Sequence, residues 1–198
     1  MTPRVNPQFF EARDWALLDR ALETAAVAHR AQTRKATGVP YLVHPYAVGM
    51  LLLEARCPTE VVIAGILHDV IEDTPVTLAQ LRQQFGDEIA EIVAQCSEPD
   101  KSWPWEKRKQ HTIDFLPTAP LTVKLVMAAD KLHNVRSIVE EYHKIGKAVW
   151  ERFNRGREQQ AWYYRSVANS LIENLPNDFD KSLFVQLREE VEFLFSLE

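Results

Sequence analysis

Residues 59–73 read TEVVIAGILHDVIED. After Glu60 every position is apolar until four titratable side chains, His68, Asp69, Glu72 and Asp73, arrive within six positions. A helix that is apolar all round is a buried one, so the stretch predicts a single buried helix over 59–73. At about 100° per residue, His68 and Glu72 share one row of that helix and Asp69 and Asp73 the next. Burying unpaired imidazoles and carboxylates costs several kcal/mol each, and a divalent cation is the simplest partner that offsets it. Adjacent His68 and Asp69 diverge around the helix and cannot complete a coordination shell alone. Further ligands must come from other elements. The best donors are His44, at the entrance to the preceding helix, and Asp130, the only carboxylate before Glu140 in the run VKLVMAADKL of residues 123–132.

Outward from this stretch the chain reads as helix after helix. Leu17, Leu18, Ala21, Leu22, Ala25 and Ala28 recur at helical spacing over 15–32. A basic loop, TRKATGVPY (33–41), follows, and Pro45 can open a second helix that runs to about Ala55. Cys57-Pro58 breaks it, and Thr59 is a candidate cap for the third. Further helices are expected over 78–95 with Thr77 as cap, 105–116, 121–140, 150–175 and 181–197, and residues 97–104 form a loop. Six glycines in 198 residues and no alternating strand pattern make the fold class all-α. The length and the 46% hydrophobic content suit one domain spanning 1–198, a single-domain helical bundle with its motif core at about 28–137.

Composition narrows the function classes. A net charge of −5 argues against nucleic acid as partner, since such binding rests on clustered cationic surface. Cys57 and Cys96 are too few for a disulfide framework and read as core or near-surface thiols. The absence of a signal-peptide pattern and of any long apolar run leads to the expectation of a cytoplasmic protein with no membrane partner. Two imidazoles with two carboxylates favour Mn²⁺, with Fe²⁺ or Zn²⁺ as alternatives, over the all-oxygen cages of Ca²⁺. Four protein ligands on a six-coordinate ion leave room for water and a substrate oxygen. Glu72, one turn from ligand His68, is placed to orient or deprotonate the attacking water, and Asp73 to share the general acid/base work. Arg34, Lys35, Lys131 and Asn134 are the nearest donors for an anionic substrate, and Lys107-Arg108-Lys109 a further candidate for phosphate. His29 and His133 read as structural or as supports behind the ligands, and Trp162, Tyr163 and Tyr164 as helix packing.

The order His44, His68-Asp69, Asp130 resembles the H…HD…D signature of the HD phosphohydrolase superfamily. More narrowly, AHRAQTRKATGVPYLVHP (28–45), HDVIEDT (68–74) and ADKLHNVRS (129–137) resemble the blocks of the RelA/SpoT-type alarmone hydrolase domain and its small stand-alone members. The resemblance implies a helical bundle, a manganese ion on His44, His68, Asp69 and Asp130, and Glu72 with Asp73 as catalytic pair. It also implies Arg34 and Lys35 around the base and its phosphates, and Asn134 at the ribose. The implied reaction is removal of the 3′-pyrophosphate from guanosine tetra- or pentaphosphate. The length of the chain leads to the expectation of hydrolysis without synthetase activity. An adenine alarmone or NADPH as substrate, or a non-catalytic nucleotide sensor, are the alternatives; no oligomeric state is read from the sequence.

Overall fold

The computed structural model describes residues 12–34, 37–98 and 100–197. Its α-helices are α1 (Ala12–Ala28), α2 (Val43–Glu54), α3 (Thr59–Leu67), α4 (Val70–Asp73), α5 (Leu78–Phe85), α6 (Asp87–Cys96), α7 (Trp105–Phe115), α8 (Leu121–Ile145), α9 (Arg157–Ile172) and α10 (Ser182–Ser196). Short 3₁₀ segments at Leu116–Thr118 and Gly146–Arg152 lead into and out of α8. Among the described residues the only extended pairing is one isolated bridge between Thr33 and Pro40. The all-α expectation is met.

Helix α3 is the axis of the molecule. Val61 through Leu67 are all buried, and α3 packs against α1, α2, α6 and α8. Helix α8 is the second interior helix: Val123 to Asp130 are buried without interruption, and it contacts α2, α3, α6, α9 and α10. Close approach of α2 and α3 depends on two glycines. A Cβ on Gly49 would lie 2.6 Å from Ile66 Cγ1, and one on Gly65 would lie 2.3 Å from Leu52 Cδ1. These contacts bring the first turn of α2, which carries His44, against the end of α3, which leads into His68.

The expected helix over 59–73 is not continuous. Regular α-helix stops at Leu67 and resumes at Val70, because Asp69 sits at φ −96°, ψ −7°. Asp is a poor helix-interior residue, and here its carboxylate is held by a neighbouring hydroxyl and imidazole, described below, which favours the unwound step. The backbone N–H of Asp73 still donates to the Asp69 carbonyl at 2.8 Å, so α4 continues in nearly the same direction. The helix expected over 78–95 is also two helices. Gly86, at φ 86°, ends α5 and starts α6, a backbone conformation open to glycine and strained for other residues.

Other boundaries shift for local reasons. Thr77 caps α5 in a full capping box with Gln80, whereas Thr59 is the first residue of α3, behind Pro58, and makes no side-chain cap. Helix α1 ends at Ala28 instead of Gln32, since Gln32 is taken up elsewhere: its carbonyl accepts from the Tyr41 N–H at 3.0 Å and its side chain donates to the Asp73 carbonyl at 2.7 Å. Helix α8 runs past Glu140 to Ile145, and the helix expected from residue 150 is a 3₁₀ segment before α9 begins at Arg157.

Replacing Gly49 by Val should destabilise the fold by about 1–3 kcal/mol through overpacking against Ile66. It should also weaken binding of a divalent cation, because it pushes α2 from α3 and His44 from His68. Thermal melting and a Mn²⁺ titration read the two effects, and a variant of unchanged melting temperature would contradict the close-packing account.

Candidate metal centre and adjoining cleft

His44, His68 and Asp130 are all buried, and one donor atom from each lies within 4.8 Å of the others. His44 Nε2 is 3.2 Å from Asp130 Oδ1 and 3.6 Å from Asp69 Oδ2. His68 Nε2 is 3.1 Å from Asp69 Oδ2 and 3.8 Å from Asp130 Oδ1. The structure thus brings together all four residues singled out as ligands, from α2, the α3–α4 step and α8. Separations of this size match the edges of a coordination shell with bonds of about 2.0–2.2 Å.

The hydrogen bonds behind the cluster test whether a cation fits. His68 Nδ1–H donates to the Gly65 carbonyl at 2.7 Å, which leaves Nε2 to face the cluster. That buried Nε2 lies near Asp69 but off the line a hydrogen bond needs, and it has no hydrogen-bond partner. His44 Nδ1 is 2.8 Å from His133 Nδ1. Burial and the neighbouring His44 lower the His133 pKa to about 4, so His133 is neutral and can accept from His44 Nδ1–H, which turns His44 Nε2 toward the cluster. His133 therefore orients His44. The Tyr41 hydroxyl donates to Asp69 Oδ2 at 2.5 Å. Lys131 Nζ and Asn134 Nδ2 donate to the two oxygens of Asp130 at 2.6 and 2.5 Å. Each of the four side chains is oriented by a second group. A donor set of two imidazoles and two carboxylates suits a divalent transition metal.

Charge is unevenly shared among these residues. For His68, burial lowers the pKa, but the carboxylates of Asp69 and Asp130 outweigh it and raise it to about 9. For His44, burial prevails over Asp130 and lowers it. Burial also opposes ionisation of Asp69 and Asp130, yet the cations beside them, His68 for the first and Lys131 for the second, hold both below the usual carboxylate range.

Glu72 and Asp73 part company. Glu72 lines the small pocket of about 130 Å³ walled by His44, His68, Asp69 and Asp130, whereas Asp73 lines a larger adjoining cleft of about 720 Å³. Tyr41, Lys109 and Asn134 line both. Burial raises the Glu72 pKa, although the Glu98 N–H, 3.1 Å from Oε2, partly offsets this. Lys101 Nζ sits 2.5 Å from Asp73 Oδ1 and 3.8 Å from Glu72 Oε1. The loop at 97–104 thus supplies one donor to each carboxylate.

Of the donors proposed for substrate, Arg34 lines the large cleft and donates to Asn134 Oδ1 at 3.3 Å. Asn134 stands at the junction of the two spaces, and Lys131 lies in the small pocket with its ammonium on Asp130. Lys35 lies outside the described residues. The basic run splits: Lys109 faces both spaces while bound to Glu98 at 2.7 Å, Arg108 is also bound to Glu98, and Lys107 lies over the Trp103 ring. Tyr163 lines the small pocket and Tyr164 the cleft, so two of the three aromatics read as packing also wall the site. Tyr41, Glu98, Lys101, Glu141 and Arg152 were not singled out from the sequence. Tyr41 lies three residues before His44, and that spacing is the one local signal among them.

Residues 21–158 match the HD domain family. The chain is 36% identical over 126 residues to the mouse protein named guanosine-3′,5′-bis(diphosphate) 3′-pyrophosphohydrolase MESH1, covering 62% of this chain and 70% of that one. It is 37% identical over 126 residues to the bifunctional (p)ppGpp synthase/hydrolase SpoT of Escherichia coli K12, covering 61% of this chain and 18% of that protein. The chain therefore spans less than a fifth of the length of that relative. Among solved structures, lmo0812 of Listeria monocytogenes EGD-e superimposes with a TM-score of 0.73 at 38% identity, covering 77% of this chain and 99% of the other. A structure described as a metazoan ortholog of SpoT that hydrolyzes ppGpp gives a TM-score of 0.73 at 25% identity, covering 95% and 96%. The chain belongs to the HD domain family.

Proposed function

We propose that this protein is a metal-dependent hydrolase that removes the 3′-pyrophosphate of guanosine tetra- or pentaphosphate, giving GDP or GTP and pyrophosphate. The observation that carries the proposal is the adjacency of a cluster of buried His44, His68 and Asp130 with half-buried Asp69 to Glu72 on one side and to a nucleotide-sized cleft on the other. The names of the MESH1 and SpoT relatives support the same reaction.

His44, His68, Asp69 and Asp130 would hold the cation, with Mn²⁺ first and Fe²⁺ or Zn²⁺ as alternatives. Once bound, it supplies Lewis acidity toward phosphoryl oxygen and water. Glu72, its affinity for a proton raised by burial, takes the proton of the attacking water as the new bond to phosphorus forms. The proton that Glu72 has taken passes on to the 3′ oxygen as its bond to phosphorus breaks, with Asp73, which faces the cleft beside Lys101, sharing that transfer. Lys109 and Arg34 face the space where the phosphates would lie, and Asn134 stands where the ribose would join the two spaces. Lys131 acts on Asp130 itself, neutralising one oxygen while the other is offered to the cation.

A substrate panel of guanine and adenine alarmones and NADPH, with Mn²⁺ supplied, tests the proposal; pyrophosphate release from the guanine alarmone is the expected result. Glu72→Gln should lower kcat by about 10²–10⁴-fold while Mn²⁺ still binds, and Asp69→Ala should lose cation and turnover together. Full activity in Glu72→Gln would remove Glu72 from the chemistry.

Cation uptake should also release protons. In the metal-free site His68 holds a proton up to about pH 9, and an imidazole must give up that proton to become a ligand. The affinity for Mn²⁺ should therefore rise as pH increases toward 9, with close to one proton released per ion near pH 7.5. Calorimetry in two buffers of different ionisation enthalpy measures this number, and a value near zero would be inconsistent with the charge state assigned to His68.

A further inference from the structure

The large cleft extends well beyond the ligand cluster along α8. Asp130, Asn134, Ser137 and Glu141 recur at helical spacing on one face, and Glu141 lies three turns, about 16 Å, beyond Asp130. Asn134, Ser137 and Glu141 line the cleft. At its far end Glu141 meets Arg152, from the 3₁₀ segment after α8: an Arg152 Nη1 hydrogen donates to Glu141 Oε2, and Lys144 Nζ lies 3.0 Å from Oε1. Ile138, Val149 and Phe153 line the same cleft, giving it an apolar flank beside this pair.

Local propensity does not explain Glu141. Near the C-terminal end of a helix the macrodipole disfavours a carboxylate, and both Lys144 and Arg152 pair with this one. Both partners of the pair are partly buried, at 17% and 27% side-chain exposure, and line the cleft instead of pointing away from it. A carboxylate accepts two parallel hydrogen bonds, and a guanidinium donates to adjacent acceptors. Guanine presents N1–H and the 2-amino group to an acceptor, and O6 with N7 to a donor. Adenine presents a bare N1 and a 6-amino group at the same places. A carboxylate beside a guanidinium is thus complementary to guanine and mismatched to adenine, and the apolar flank suits the face of a flat base.

We infer that Glu141 and Arg152 form the base-reading end of the cleft and select guanine over adenine, Glu141 accepting from N1–H and the 2-amino group and Arg152 donating to O6. The inference rests on the proposed hydrolase reading, which places the 3′-pyrophosphate at the His–Asp cluster and so directs the base along α8. Its ligand class is a purine nucleotide, and its commitment is to the guanine edge.

Calorimetric binding of GDP, IDP and ADP to the Mn²⁺-loaded protein and to Glu141→Gln tests it without turnover. The wild type should bind GDP at least about tenfold tighter than ADP, with IDP, which lacks the 2-amino group, in between. Glu141→Gln should bring GDP and ADP within about threefold by weakening GDP and leaving ADP no weaker. Arg152→Gln should weaken GDP and not ADP, which keeps the pair testable if one variant folds poorly. A wild type that binds GDP and ADP equally, or a GDP/ADP ratio unchanged in both variants, would overturn the inference. The two readings fail separately. Guanine preference lost in Glu141→Gln without pyrophosphate release by the wild type would defeat the hydrolase and keep the base pocket. Release from guanine and adenine alarmones at equal kcat/KM in wild type and Glu141→Gln would do the reverse.

Discussion

Four ionisable side chains, two imidazoles and two carboxylates, converge in the apolar centre of a helical bundle, and the rest of the molecule is arranged around the cost of putting them there. In a low-dielectric interior each needs a compensating charge or hydrogen bond. Each has one: Gly65 O for His68, His133 for His44, Tyr41 for Asp69, Lys131 and Asn134 for Asp130. Gly65 O and His133 act behind the two imidazoles and Lys131 takes the outer oxygen of Asp130, whereas Tyr41 and Asn134 reach the Asp69 Oδ2 and Asp130 Oδ1 that face the imidazoles. What they leave facing inward is a set of donor atoms 3.1–3.8 Å apart, a spacing at which a cation removes the remaining repulsion. The packing serves the same end. Gly49 and Gly65 let α2 and α3 approach closely enough for the two imidazoles to meet.

From that centre, α8 works as a ruler. Asp130 reaches the cluster, Asn134 the junction, Ser137 and Glu141 the outer cleft. A rigid helix fixes the distance between the His–Asp cluster and the far end of the cleft, and preorganisation of this kind lowers the entropic cost of binding. The loop at 97–104 acts on the two carboxylates of α4. Its Glu98 N–H and Lys101 ammonium hold Glu72 and Asp73, and the Glu98 side chain holds Lys109 and Arg108. One loop therefore positions both carboxylates and a cation facing the cleft.

Much of this was legible in the sequence, and the boundary of legibility has a physical origin. Residues 59–73 announced a buried segment and a cluster of charge within it, and Asp130 stood out as a carboxylate in an apolar run. These are violations of hydrophobic patterning, which burial energetics makes costly and therefore informative. The break at Asp69 was not legible, because it arises from the Tyr41 hydroxyl and the imidazole that the fold brings to that carboxylate. The division at Gly86 had a local signal in the glycine itself. Glu98 and Lys101 sit in a polar loop, where charge is the ordinary condition and nothing marks it as inward-facing. Glu141 and Arg152 are hidden for the same reason: on an amphipathic helix and a short 3₁₀ turn, a charged residue is unremarkable until the cavity beside it is seen.

The separation of Glu72 from Asp73 follows from their adjacent places on α4, where consecutive side chains diverge by about 100°. Glu72 lines the pocket of the His–Asp cluster, while Asp73 lines the cleft and pairs with Lys101. Two carboxylates adjacent in sequence thereby acquire different surroundings. Glu72 is held in a pocket where burial favours its protonated form, and Asp73 is exposed and salt-bridged to a lysine. Acid/base chemistry on a phosphate ester needs such an asymmetry, since one group must accept a proton while the other serves the departing oxygen. Adjacency on one helical turn thus makes two neighbouring carboxylates chemically unlike, one beside the His–Asp cluster and one beside Lys101 in the cleft.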